Sequence, residues 1–111
     1  MPGHKVMIVV GAPHPYVDQI LDAIASAGGS ILGDYTHCAF TNTGQGQFKP
    51  GAGAHPHTGE KERLNRVDET RIETFCDLDR ARAVVQTIRA AHPYEEPVIY
   101  LIPLLSEDEL P

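Results

Sequence analysis

Two amphipathic segments, each placed between strand-like runs, do most to limit the folds open to this chain. Both carry apolar residues three or four positions apart, which is the spacing of one helix face. The first begins at Tyr16 and ends at the Gly28-Gly29 pair, and the second follows Asp77 or Asp79 as its cap. Their apolar positions are Val17, Ile20, Leu21 and Ile24 in the first and Ala81, Val84, Val85 and Ile88 in the second. The pattern predicts two helices that are each buried along one side.

Four strand-like runs surround these helices, in residues 5–10, 31–41, 64–76 and 98–104. The first is apolar and β-branched, which is typical of a central strand. In the third, a period of two places Val67, Glu69, Arg71, Glu73 and Phe75 on one face and Asp68, Thr70, Ile72, Thr74 and Cys76 on the other. Between the second and third lies a stretch built from Gly, Pro, Asn and Thr, and we predict a long loop over residues 42–63.

The order of these segments is strand, helix, strand, strand, helix, strand. With right-handed crossovers this order predicts an α+β fold of the ferredoxin-like type, with a four-stranded antiparallel sheet and both helices on one face. We expect one domain over residues 1–111, ending in an acidic, frayed tail at 105–111. In this topology residues 11–15, the long loop and residues 92–97 converge at one edge of the sheet.

Composition excludes several classes of function. Nine basic and 15 acidic residues give a net charge of −6, the wrong sign for a nucleic-acid binder or for an anionic membrane surface. No apolar run approaches the ~20 residues that a membrane span needs, and the first residues do not resemble a signal peptide. We therefore expect a cytoplasmic protein in which Cys38 and Cys76 are reduced.

Histidine is frequent, and four of the six histidines fall in the converging segments. Prolines at both ends make residues 92–97 a stiff connector. Imidazole and carboxylate together suit zinc or a similar divalent ion. The candidate metal ligands are His14, His55, His57, His92, Glu95 and Glu96. The alternative is that His92 caps the second helix, Tyr94 packs under the sheet edge and the glutamates are solvated.

Charges of both signs alternate along one face of the third predicted strand. Glu69, Arg71 and Glu73 form either a solvated face or a set of ion pairs between subunits, with Arg71 as a bidentate donor. His37 and Cys38 are neighbours on the second predicted strand, so they point to opposite faces and do not share an ion. The candidate ligand-binding residues are His37, Glu69, Arg71, Glu73 and Tyr94.

Three motifs together resemble the insert domain of the Nif-three-like (NGG-interacting-factor) proteins. They are YTHCAF with GQGQFKP in residues 35–50, GAHPHTG with VDETRIE in residues 53–73, and HPYEEP in residues 92–97. The third also resembles a motif of the CutA divalent-cation-tolerance proteins, which have a PII-like ferredoxin fold. The resemblance covers residues 5–104 and implies a PII/CutA-like oligomerising domain standing alone, a type that commonly forms trimers. The family's larger core, with its two-metal site, has no counterpart in these residues, so its hydrolase activity is not implied.

Three functions remain open from the sequence. The first is a homotrimeric regulatory module that binds a small ligand or a divalent metal such as zinc at one end of the sheet. The second is a metal-dependent hydrolase, acting alone or completed by a separate core protein. The third is an interaction module that docks a partner through residues 42–63. We expect no catalysis, because no nucleophile lies beside a base that a third group orients.

Overall fold

A computed structural model describes residues 4–111 of the chain. Its regular elements are β1 (Lys5–Ala12), α1 (Val17–Ser26), β2 (Phe40–Phe48), β3 (Asn65–Asp77), α2 (Ala81–Ala91) and β4 (Ile99–Leu104). Short 3-10 turns, His14–Tyr16 and Leu78–Arg80, lead directly into the two helices. No helix in the described part of the chain is long and apolar enough to cross a membrane.

The four strands form one antiparallel sheet in the spatial order β2-β3-β1-β4. Both helices pack against the same face, because their apolar stripes share one core with the inward residues of β1 and β3. This confirms the predicted α+β, ferredoxin-like fold. We call the face under the helices the helix side and the other the helix-free side.

The core lies on the helix side. Even-numbered residues are buried there from Val6 to Ala12 of β1 and from Thr70 to Cys76 of β3. Ile8 and Ile72 of these strands and Ile20, Ile24 and Val84 of the helices are fully buried. Each such side chain contributes roughly 1.5–3 kcal/mol when removed from water. Residues at odd positions of the same strands face the helix-free side, because successive side chains of a strand point to opposite faces.

The second strand is displaced from its predicted position. The prediction of a strand over residues 31–41 and a loop over residues 42–63 was wrong at their boundary, because β2 runs from Phe40 to Phe48. Residues 31–39 are instead irregular, with a tight turn bridged between Leu32 and Tyr35. Strand β2 is mostly exposed and polar, so no burial pattern marks it in the sequence. Backbone pairing with β3 is what makes it a strand.

Strand β3 is longer than both strands that pair with it, β1 and β2. Strand β1 pairs with it from Thr70 to Asp77, whereas β2 pairs with it from Asn65 to Glu73. Beyond the end of β1, the two strands therefore continue as a two-stranded ribbon, and residues 49–64 connect its two strands. At the other end of the chain, the predicted frayed tail contains a 3-10 turn, Glu107–Glu109, with Ser106 as its cap.

Candidate functional site

Residues 92–98 lie between the end of β1 and the loop formed by residues 49–64, as the topology predicts. Together with the ribbon they enclose an open cleft of about 630 Å³ on the helix-free side of the sheet. Glu69 and Arg71 line it from β3, and Tyr94 and Glu95 line it from the connector. The cleft therefore brings together three of the five predicted ligand-binding residues: Glu69, Arg71 and Tyr94.

His92 fastens the connector to β1. Its Nε2 lies 2.7 Å from the carbonyl oxygen of Gly11, and its Nδ1 lies 3.1 Å from the backbone nitrogen of Tyr94. Since the Tyr94 N–H must donate, Nδ1 is the acceptor and Nε2 carries the proton. Burial lowers the pKa of His92, and the Gly11 carbonyl and the Glu69 carboxylate oppose this only in part. The neutral imidazole is thus the form that fits both partners.

Tyr94 continues this network to β3. Its hydroxyl donates to Glu69 Oε2 across 2.7 Å. Burial and the hydrogen bond to Glu69 raise the pKa of Tyr94 well above its ordinary value. The hydroxyl therefore stays protonated and holds the carboxylate in one position.

Two glycines leave the space that the Glu69 carboxylate occupies. A Cβ atom on Gly46 would lie 2.6 Å from Glu69 Oε1, and a Cβ atom on Gly11 would lie 2.8 Å from the same oxygen. Both distances are far inside van der Waals contact, so a larger residue at either position displaces the carboxylate. We call this space, bounded by Gly11, Gly46 and Tyr94, the glycine notch.

The loop over residues 49–64 is tethered to the connector. The backbone N–H of His55 donates to Glu95 Oε1 at 3.0 Å. The ring of His57 packs edge-on against Tyr16, with ring centres 5.7 Å apart, and lies 6.2 Å from the Tyr94 ring. These contacts place the His57 ring at the cleft, whereas His55 is tied to the connector through its backbone.

The predicted metal ligands do not form one cluster. His14 lies 3.2 Å from Thr70 Oγ1 on the helix side and does not line the cleft, and both ring nitrogens of His92 already have partners. Within residues 4–111 no group of three or more His, Cys, Asp or Glu side chains is placed to hold a metal ion. As they stand, these residues do not fit a metal centre, and metal binding stays a prediction.

His37 and Glu73 lie outside the cleft. Because β2 starts at Phe40, His37 is not on a strand as predicted, and its φ is +59°. Its Nε2 is 3.1 Å from Asp22 Oδ1 at an exposed position. Glu73 Oε1 lies 3.2 Å from the Arg71 guanidinium, so this pair forms within one chain.

Several residues that line the cleft were not identified as site residues from the sequence. They are Gly11, Asn42, Gly46, Phe48, Lys49, Val98 and Tyr100. The glycines carry no chemistry of their own, and their role depends on the register that places Gly44 opposite Glu69. These glycines could have been found from the sequence if β2 had been placed correctly, because the GQGQF segment then pairs with the part of β3 that carries Glu69.

Comparison with known proteins supports the resemblance that the three sequence motifs indicate. No family model matches the chain. It is 39% identical over 102 residues to a GTP cyclohydrolase 1 type 2 homolog of Halalkalibacterium halodurans, covering 92% of this chain and 27% of that protein. The Bacillus subtilis protein of the same name is 38% identical over 97 residues, covering 87% and 26%. The chain thus spans about a quarter of the length of the curated relatives it matches.

Two kinds of solved structure share the fold. A Bacillus cereus protein related to NIF3 matches with a TM-score of 0.81 and 33% identity, over 93% of this chain and 26% of that one. The periplasmic divalent cation tolerance protein CutA of Archaeoglobus fulgidus matches with a TM-score of 0.67 and 16% identity, over 94% and 90%. The chain therefore has the CutA-like fold, and its sequence relatives are the Nif-three-like proteins, of which it matches one domain-sized segment.

Proposed function

We propose that this chain is a homotrimeric regulatory module that binds a small ligand in the cleft on its helix-free side. The observation that carries the proposal is the position of the cleft. It opens on the sheet face opposite α1 and α2, beside apolar side chains that a single chain leaves in water. Ligand binding and assembly would then use the same face.

The helix-free side has the character of an interface. Phe40 of β2 and Tyr100, Ile102 and Leu104 of β4 face this side, and all four are exposed large apolar residues. Tyr100, Ile102 and Leu104 follow one another at alternate positions of β4, and neighbouring exposed apolar side chains of this kind are typical of an interaction site. The Arg71–Glu73 ion pair, which forms within one chain, adds charged groups of both signs to this face.

A neighbouring copy would also complete the cleft. Val98 and Tyr100 form one wall, yet they are 62% and 60% exposed in the single chain. Small-molecule sites enclose most of their ligand and usually measure about 300–1,000 Å³. The volume here is suitable, and a second subunit against Tyr100 would supply the missing enclosure. The CutA-like fold and the helix-free face support a closed trimer.

The identity of the ligand is a separate question. The curated relatives are named for GTP and the CutA neighbours for divalent cations, and each name describes those proteins. For a metal, the engaged nitrogens of His92 argue against the predicted ligand set. The hydrolase and the loop-docking module stay predictions that no contact in the described residues favours. We also place the trimer in the cytoplasm as part of this proposal.

Assembly is tested with a matched pair of variants on β4. Ile102 and Leu101 are 43% and 47% exposed, but they face opposite sides of the sheet. Light scattering at micromolar concentration should give three times the 12.1 kDa chain mass for the unmodified protein and for Leu101→Glu. It should give the mass of a single chain for Ile102→Glu. A monomeric unmodified protein, or equal dissociation by both variants, would contradict the proposal.

A further inference from the structure

The charges that line the cleft are predominantly negative. Three carboxylates line it, on Glu69, Glu95 and Glu96, against two basic side chains, on Arg71 and Lys49. Arg71 is already paired with Glu73, which adds a fourth carboxylate just outside the lining. With histidine counted as neutral, the cleft favours cations and repels phosphate groups.

One of these carboxylates is held in place to accept a hydrogen bond. The Glu69 side chain fills the glycine notch, and Tyr94 donates to its Oε2. No hydrogen bond to Oε1 is made by any of residues 4–111. A carboxylate fixed by one donor, with its second oxygen unused, is a preorganised acceptor for a ligand N–H.

The walls around this acceptor are aromatic and apolar. Tyr94 and Tyr100 supply rings, and Phe48 and Val98 add apolar surface. The faces of aromatic rings attract ammonium groups electrostatically. An aliphatic chain that carries an ammonium group would satisfy the carboxylate with its head and the walls with its stem.

We propose that the ligand of this cleft is a small organic amine, bound as its ammonium ion by Glu69. This inference rests on the proposed function, since it names the class of ligand for the same site. Glu69 is the binding residue, and Tyr94 is a positioning residue that acts through it. The carboxylates Glu95 and Glu96 at the connector contribute to the attraction of the cation.

The test compares cadaverine (1,5-diaminopentane) with glutarate, a dianion with the same number of carbons, and with GTP. Binding is measured by calorimetry and by amide chemical shifts on the unmodified protein, Glu69→Gln and Asp68→Asn. Asp68 is the matched control, because it precedes Glu69 on β3 and faces the helix side. We expect cadaverine to shift the amide resonances of Gly44, Gly46 and Tyr94. Glu69→Gln should lower the affinity for cadaverine at least tenfold, whereas Asp68→Asn should leave it unchanged.

Each other outcome separates the inference from the proposed function. If glutarate or GTP shifts the cleft amides and cadaverine does not, the inference is overturned and a ligand-binding cleft is retained. If both variants lower the affinity for cadaverine equally, the net negative charge of the protein attracts it without a specific role for Glu69, and the inference is overturned. If none of the probes shifts the cleft amides, the amine assignment is overturned, while the assembly half of the proposed function is judged by light scattering alone.

Discussion

The two sides of this sheet are built on opposite principles, although they share the same strands. On the helix side, neighbouring positions such as Ile8 and Ile72 are fully buried among helix residues. On the helix-free side, Arg71 is exposed, Glu69 is half-buried and Gly46 has no side chain at all. The first side fills space, whereas the second keeps space open around a fixed carboxylate. Stability therefore depends mainly on the helix side of the sheet, and ligand recognition on the helix-free side.

The largest effect expected from this division is on folding. Ile72→Ala should lower the free energy of unfolding by about 2–5 kcal/mol, because it leaves a cavity in a fully buried core. Its neighbour Arg71→Ala should change the same quantity by about 0.5 kcal/mol or less. Both are measured by urea denaturation in the Ile102→Glu background, where assembly is not expected to contribute. Similar losses for the two variants would remove the distinction between the faces.

The helix side is also the part that the sequence predicts well. Ile20, Ile24, Val84 and Ile88 follow helical spacing because burial selects apolar residues at each turn, and all four lie in the core. Strand β2 was misplaced because its pairing needs only backbone groups, which every residue except proline supplies. The glycine notch was missed for the same reason, since it depends on the register between β2 and β3.

The contact between glycines and Glu69 can be broken by a single methyl group. Gly46→Ala places a Cβ atom where the Glu69 carboxylate lies, so the carboxylate must move and release Tyr94. We expect a loss of about 1 kcal/mol in stability and the loss of cadaverine binding. Gly44→Ala is the control, because a Cβ atom there meets nothing within 4 Å. Unchanged binding by Gly46→Ala would show that the notch does not position the carboxylate.

A smaller effect is expected from pH at the edge of the cleft. His92 has a lower pKa in the folded chain than in the unfolded one, so the unfolded chain binds more protons. Its contribution to stability is therefore complete above about pH 6.5 and is lost as the pH falls toward the folded value. Denaturation midpoints from pH 8 to pH 5 should fall more steeply for the unmodified protein than for His92→Gln. Parallel curves would mean that protonation of His92 does not oppose the folded connector.

The smallest expected effect is a difference in the rates at which the two cysteines, Cys38 and Cys76, react with a thiol reagent. Burial raises the pKa of the Cys76 thiol, with Asp77 as a further cause, and the side chain is buried in the core. Cys38 is only half-buried. In native protein a thiol reagent such as iodoacetamide should modify Cys38 first, with Cys76 reacting at a comparable rate only after denaturation. Equal native rates, followed by mass spectrometry, would argue against a closed core at this end of β3.

The central claim is that the helix-free side is covered in the assembled protein. Two tyrosines allow a direct comparison, because in a single chain Tyr100 on that side is 60% exposed and Tyr35 in the turn before β2 is 73% exposed. Hydroxyl-radical footprinting at micromolar concentration reports how much each ring meets water in solution. We predict that Tyr100 is strongly protected relative to Tyr35 in the unmodified protein and becomes reactive in Ile102→Glu. Equal reactivity of the two tyrosines in the unmodified protein would contradict the account.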